Sequence, residues 1–468
     1  MHLVDFIIFA IYFLGVLGVG VYFFLKNTDH EDYFVGGRSI SSFHVGLSIV
    51  ATDVGGGFSI GLGGLGFAMG ISGSWLLFTG LIGAWLAAVF TVPKLKKLDM
   101  ESGYLTYPDF LRVKYGDKVA MFAAIISGIG YLGFTGGQIL AGAKLAAGSI
   151  FVDVTAFDPL TLSLVVIAAV ILLYTVLGGI KAVIYTDTIQ WIVLLSGLMF
   201  LGFPIALYKL GGWDAVTAQL PATHFSFTNV SVTTLINWAF TIIPIWFIAM
   251  TLYQRVYASP NVKEAKRAFF IAGVFEYPLM AFVGVGLGML ARIAHPESEA
   301  EMALPLMLNT LLPVGVSGFL LASYFSAVMS TADSCLIASS GNFTGDMIIR
   351  IFKRKWSSKS IIRLSQIVTL VVGVLALVLA SSFQSVLDIV LQAYGFMVSG
   401  LLVPTLVAYF SKKTDSVAAG VSMIGGGSFT LISILAKVSL PFGLDPTVYG
   451  LTLSAILYLV VFQIRKHV

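Results

Sequence analysis

Residues 51–61 read ATDVGGGFSIG. A carboxylate and three consecutive glycines stand inside an apolar segment, 44–68, long enough to cross a bilayer. Lipid offers a backbone no water, so a membrane helix is broken only where it lines a cavity or is buried in protein. Each glycine costs a helix interior about 1 kcal/mol relative to alanine. A break over 51–57 would free carbonyl oxygens from Ala51 and Val54, with Asp53 at its edge. Such oxygens are hard ligands suited to Na⁺. The alternative is that the glycines admit a neighbouring helix at close range. Taken alone, the segment leaves both readings open.

The rest of the chain sets the environment. Of 468 residues, 58% are hydrophobic and only 11% charged, with a mean hydropathy of +0.95. A soluble domain would be about a quarter charged, so the chain reads as an all-α polytopic membrane protein whose partner is the lipid bilayer. The net charge of +4 gives no ground for nucleic-acid binding. A single cysteine, Cys335, excludes an intrachain disulfide. Asp5 precedes the first apolar run and Lys26 follows it, which predicts a retained helix over 3–25 rather than a cleaved leader.

Thirteen spans are expected: 3–25, 44–68, 74–93, 119–150, 159–178, 187–208, 232–254, 268–291, 315–346, 362–381, 385–410, 416–437 and 446–464. With the N-terminus outside and the C-terminus cytoplasmic, all of the 27 lysines and arginines except Lys144, Lys209, Arg292 and Lys437 fall on the inner side. That asymmetry is what the positive-inside rule requires of a cell membrane protein. The outer segments carry Asp153, Asp158, Glu297, Glu299 and Glu301. No loop is long enough for a soluble domain. GLGGLG at 61–66 has dinucleotide-binding spacing, but it lies in an apolar helix and reads as helix packing. The sequons at Asn229 and Asn342 read as chance matches, and the scattered histidines form no metal site.

An ionisable group inside a span costs roughly 3 kcal/mol or more and marks function by default. The candidates are Asp53, Asp187, Glu276, Asp333 and Asp388, with Gln138, Gln190 and Gln392 as neutral companions. Glu276, beside Pro278, reads as a buried carboxyl held by a partner helix. In AVMSTADSCL, residues 327–336, Ala327, Ser330, Thr331 and Ser334 recur at i, i+3, i+4 and i+7 on one helix face. Two hydroxyls with three carbonyls make a five-oxygen cage without net charge. Such a cage suits a monovalent hard cation, whereas Ca²⁺ would want carboxylates.

Five motifs in order resemble those of the sodium:solute symporter family: DYFVGGRSI at 32–40 followed by GLSIVATDVGGG, GGIKAVIYTDTIQ at 178–190, YQRVYASPNVKEAKRAF at 253–269, SAVMSTADSCLIASS at 326–340 and LQAYGFMVSGLLVPTLVAYF at 391–410. The resemblance implies a single transporter domain over 1–468 with a LeuT-type inverted repeat of five plus five helices. The repeats are 44–208 and 232–410, with an extra helix at 3–25 and two C-terminal helices within 416–464. The first helix of each repeat is expected to break, at 55–57 and near Pro244. The resemblance places sodium on the carbonyls of Ala51, Val54 and Ala327 and the hydroxyls of Ser330 and Thr331, with Asp53 alongside. It implies a second cation among Asp187, Ser330 and Ser334, with Asp333 standing where other members have a hydroxyl. Gln392 matches a sugar-contacting glutamine of one branch, but Met250 replaces a polar contact of that branch, which argues against a sugar. Gly55, Gly56, Gly57, Phe58, Ser59, Gln138, Trp246, Met250 and Gln392 are the expected lining of the solute site. The implied activity is symport of a small organic solute with Na⁺. A proton-coupled carrier using Asp53, Asp187 or Asp333 is the alternative. A membrane-embedded sensor or enzyme lacks any signalling domain, metal cluster or nucleophile triad in this sequence.

Overall fold

The protein is described by a computed structural model over residues 2–25, 36–175, 180–352 and 357–466. Lys26, the start of the DYFVGGRSI motif, the glycines of GGIKAVIYTDTIQ and the basic run Lys353–Lys355 lie outside the described residues. The regular elements among the described residues are all helices. Those that build the bundle are α1 (Leu3–Leu25), α2 (Ser42–Asp53), α3 (Gly55–Met69), α4 (Trp75–Phe90), α5 (Asp117–Ala147), α6 (Pro159–Thr175), α7 (Ile180–Gly197), α8 (Val232–Ile245), α9 (Met250–Ala258), α10 (Val262–Val274), α11 (Ala281–Ala294), α12 (Ala300–Thr310), α13 (Val316–Gly341), α14 (Ser358–Ala380), α15 (Val386–Phe410), α16 (Ser416–Leu435) and α17 (Pro446–Lys466).

The polarity of the bundle is that of a membrane protein. On α14, Ile367, Leu370, Val371, Val374, Leu375 and Val378 form one exposed apolar stripe at helical spacing. The hydroxyl and carboxyl groups of α13 (Ser323, Ser326, Ser330, Thr331, Asp333 and Ser334) are all buried. An exterior this apolar matches lipid, not water. Helix α13 is the axis of the fold, packed against α1, α2, α3, α5 and α7.

Each of the thirteen apolar stretches is helical over most of its length. By length and composition, nine helices among the described residues can cross a membrane, and the bent pair α8–α9 makes a tenth. Leu3–Val16 and Pro159–Leu173 are shorter apolar helices. The count falls below thirteen partly because Gly55–Phe90 runs on through a short 3₁₀ turn, Gly70–Ser74, and counts once.

The first helix break is narrower than expected. Only Gly55 leaves helical geometry, at φ +49°, while Gly56 and Gly57 belong to α3. Their role is close packing. A Cβ on Gly56 would lie 2.0 Å from a methyl of Val328, and one on Gly57 would lie 2.5 Å from Gln138 Nε2. Both readings of the triple glycine therefore hold, for different residues. The second break spans residues 246–249, between α8 and α9, just past Pro244 and with a bend of 41°.

The GLGGLG segment packs as expected of small residues. A Cβ on Gly66 would meet the Val285 carbonyl oxygen at 2.1 Å, and one on Gly288 would meet the Gly63 carbonyl oxygen at 2.0 Å. No side chain can bend out of the way of a backbone atom. Gly288→Ala is therefore expected to destabilise the protein by about 1–3 kcal/mol, the usual range for overpacking. Gly18→Ala, on an open face of α1 with nothing within 4 Å, is the control. Thermal unfolding in detergent checks this: a lower midpoint for Gly288→Ala, and an unchanged or slightly raised one for Gly18→Ala, where alanine only gains helix propensity.

Candidate ion and solute site

Where α2 breaks from α3, α13 passes alongside. Thr331 Oγ1 lies 2.8 Å from the Ala51 carbonyl oxygen and 3.0 Å from that of Ala327. Gly55 permits this approach, since a Cβ there would fall 2.3 Å from Thr331 Oγ1. Three of the five expected sodium oxygens thus meet at one point. The fourth, the Ser330 hydroxyl, turns to Asp187 Oδ1 at 2.5 Å. The Val54 carbonyl stays in the helical ladder, accepting from Phe58 N–H at 3.0 Å. The one-residue break explains this, because the helix resumes before that carbonyl is freed.

The position expected for a second cation holds a guanidinium. Arg255 Nη2 lies 3.3 Å from Asp187 Oδ2, 3.1 Å from Ser334 Oγ and 2.7 Å from Thr52 Oγ1. Ser48 adds its hydroxyl to Asp187 Oδ2 at 2.6 Å and accepts from Arg255 Nε at 3.2 Å. Both charged side chains are fully buried. The network joins α2, α7, α9 and α13. Asp333 stands apart from it and accepts a hydrogen bond from Thr175 on α6. Arg255, which hydropathy assigns to an inner loop, is drawn into the bundle because the chain re-forms a helix at Met250.

Asp53 also differs from expectation. It is two residues beyond Ala51, so the helix turns it about 200° away from Thr331. Its Oδ1 accepts from Tyr394 Oη at 3.0 Å, and its carboxyl neighbours that of Glu276. The two carboxyls share a hydrogen bond, and Glu276 has no other partner among the described residues, so it is a buried carboxyl held from another helix, as expected. The Tyr394 ring stacks on Phe134 with centroids 4.9 Å apart, and Phe58 lies 6.1 Å from Tyr394.

The remaining expected solute residues divide. Gln138 Oε1 accepts from Gly57 N–H at 2.9 Å, leaving its Nε2 without a partner. Trp246 lies in the second break with its indole N–H also unpartnered, and Met250 opens α9, buried. Ser59 turns into its own helix, bonding the Gly55 carbonyl at 2.6 Å. Gln392 is half-buried and precedes Tyr394 by two residues, so α15 faces the site with the tyrosine. Asp388 is exposed in the first turn of α15, away from the site. Sequence reasoning missed Tyr394, Arg255 and Tyr131. The Tyr131 hydroxyl accepts from Thr251 N–H at 3.1 Å, satisfying a donor that the second break leaves free. A tyrosine within the apolar run of α15 was the available signal for Tyr394.

Both ends of the bundle are closed by charge. At one, Lys144 binds Glu299 and, at 2.7 Å, Glu301, which also takes the N–H groups of Val386 and Leu387 at the start of α15. At the other, Asp99 binds Arg38 and, at 2.8 Å, Lys96, which donates to the Tyr257 carbonyl at 3.0 Å.

A buried ion pair that loses one member leaves an unpaired charge, at about 3–5 kcal/mol. Arg255→Met should therefore destabilise strongly, as should Asp187→Asn, though less, since asparagine keeps most of the hydrogen bonds. The double variant should lose less than the sum of the two. Unfolding free energies in a double-mutant cycle check this, and additivity would mean that the pair is not coupled.

Known proteins place this geometry. The sodium:solute symporter family matches residues 33–426. The osmoregulated proline transporter OpuE of Bacillus subtilis is 27% identical over 98% of this chain and 94% of its own length. A sodium/glucose cotransporter 4 of Danio rerio is also 27% identical, over 87% of this chain and 67% of its own length. Among solved structures, a Na⁺-coupled sialic acid symporter in a substrate-bound outward-open state shares the fold, with a TM-score of 0.77 at 22% identity, covering 98% of this chain and 97% of that one. The chain belongs to the sodium:solute symporter family, multi-pass membrane transporters whose co-transported ion is sodium.

Proposed function

We propose that the protein imports a small organic solute across the cell membrane by alternating access, driven by Na⁺ bound where α13 crosses the α2–α3 break. The observation that carries this is the Thr331 hydroxyl set between the Ala51 and Ala327 carbonyls. Those three oxygens, with the hydroxyl oxygen of Ser330, are the sodium ligands, while the Val54 carbonyl stays committed to the helical ladder. Ser330 and Thr331 spend their protons on Asp187 and Ala51, which leaves oxygen lone pairs for a cation. The cage carries no net charge, which suits a monovalent ion.

In this reading the thirteen helical stretches are thirteen spans, with the N-terminus outside and the C-terminus cytoplasmic. The repeats are 44–208 and 232–410, each opening on its broken helix. The solute sits between the breaks, against Gly55, Phe58, Gln138, Trp246 and Met250. The Arg255 guanidinium serves as the resident cation between Asp187 and Ser334, so the mobile ion is the one at Thr331. The drive suffices. One charge crossing 100 mV yields about 2.3 kcal/mol and a tenfold Na⁺ gradient about 1.4 kcal/mol. Together, about 3.7 kcal/mol supports several-hundred-fold accumulation.

Two measurements test this. Na⁺, and not K⁺, should raise the thermal unfolding midpoint of purified protein, and the double substitution Ser330→Ala with Thr331→Ala should abolish that rise while the protein still folds. Gly55→Ala should weaken the Na⁺ response roughly tenfold or more in half-saturating concentration, because its Cβ would displace Thr331. An unchanged Na⁺ titration in either variant would remove the ion from this position.

A further inference from the structure

One helix serves both breaks. On α5, Tyr131, Phe134 and Gln138 recur at i, i+3 and i+7, so they share a face, and all three are buried. Gln138 Oε1 accepts from the N–H of Gly57, in the first turn of α3. Tyr131 Oη accepts from the N–H of Thr251, in the first turn of α9. The first N–H groups of a helix have no acceptor within it, and inside a membrane no water supplies one. Both half-helices therefore take an acceptor from α5, at points about 10 Å apart along its axis.

Helix α5 is itself wedged against α15. A Cβ on Gly130 would lie 2.2 Å from Met397 Cγ, one on Gly133 2.9 Å from Ala393 Cβ, and one on Gly137 2.6 Å from Val390 Cγ2. Packing this close leaves α5 no room to rotate. Its two side-chain acceptors are fixed points to which the breaks are tied.

The tie at the second break reaches further. The Tyr131 hydroxyl also meets Thr251 Oγ1 at 3.0 Å, and the Thr251 carbonyl accepts from Arg255 Nη1 at 3.4 Å. Arg255 in turn holds Asp187, which takes the Ser330 hydroxyl. Resting on the reading of sodium-coupled import, we infer that Tyr131 is a positioning residue for sodium: by capping α9 it seats Arg255 against Asp187, and so holds Ser330 in place for the ion. Without its hydroxyl the Thr251 N–H is buried and unpaired, a cost that a shift of the first turn of α9 relieves. The Arg255–Asp187 pair shifts with that turn. Na⁺ binding must then restore the arrangement, which weakens it.

Thermal unfolding of the purified protein, titrated with Na⁺ against K⁺ at constant ionic strength, tests this. Tyr131→Phe should raise the half-saturating Na⁺ concentration about tenfold, the effect of one buried donor left unpaired. A merely structural role would lower the unfolding midpoint and leave that concentration where it was. Gly288→Ala, which overpacks against Gly63 more than two turns along α3 from the first break, is the comparison. It should lower the midpoint without moving the half-saturating concentration. Should Tyr131→Phe not fold, Thr251→Val, which drops the hydroxyl contact and keeps the N–H one, should raise the concentration about threefold. An unchanged Na⁺ titration in the folded variant, or an equal shift in Gly288→Ala, would overturn the assignment. The two readings fail separately. A wild-type protein that Na⁺ does not stabilise refutes the sodium site and this role with it. A Na⁺ response that is lost on replacing Ser330 and Thr331 by alanine, but unchanged in Tyr131→Phe, refutes the role of Tyr131 alone.

Discussion

Arg255 carries a permanent charge in a place with no access to water, and much of the central architecture answers to it. Its guanidinium takes oxygens from Ser48, Thr52, Asp187 and Ser334, on α2, α7 and α13. It also reaches the Thr251 carbonyl on its own helix at 3.4 Å. A buried pair of this kind is weak evidence for stability, because desolvation cancels much of the Coulomb attraction. What it does impose is register. Helices α2, α7 and α13 are held at fixed heights relative to α9, since any slip would strand a charge.

That register sets the proposed ion site. Ser330 and Thr331 are consecutive on α13, and the first is bound to Asp187 while the second is bound to Ala51. The fixed ion pair and the oxygens proposed for sodium therefore share one helical step. A movement that separated the oxygens proposed for sodium would pull on the Asp187–Arg255 pair, which Ser48 and Thr52 tie to the first broken helix. This is a physical route for coupling, with a named element at each end.

The glycines show how little backbone change a membrane site needs. Of the three consecutive glycines only Gly55 takes a left-handed conformation, yet that residue separates two helices and admits Thr331. Gly56 and Gly57 remain helical and act through the absence of a side chain, letting Val328 and Gln138 approach. A single irregular residue limits the number of unsatisfied backbone groups, which in lipid are worth several kcal/mol each. The longer second break is supported from outside by the Tyr131 hydroxyl.

Composition and apolar periodicity were enough to determine a polytopic helical protein, and helix-face spacing was enough to group Ala327, Ser330 and Thr331. These are local properties, carried by residues within a turn or two of one another. Long-range placement was another matter. The charge of Arg255 reads as cytoplasmic until the second break carries it inward. Asp187 and Asp333 read as a pair until α6 and α9 supply Thr175 and Arg255 instead. Asp53 reads as a sodium neighbour until the helix turns it to Tyr394 and Glu276. In each case the side chain's partner comes from a helix distant in sequence, and a buried charge takes whichever partner the packing brings. The sequence determined which groups must be satisfied; the tertiary structure alone decided by whom, because lipid leaves no solvent to take the remainder.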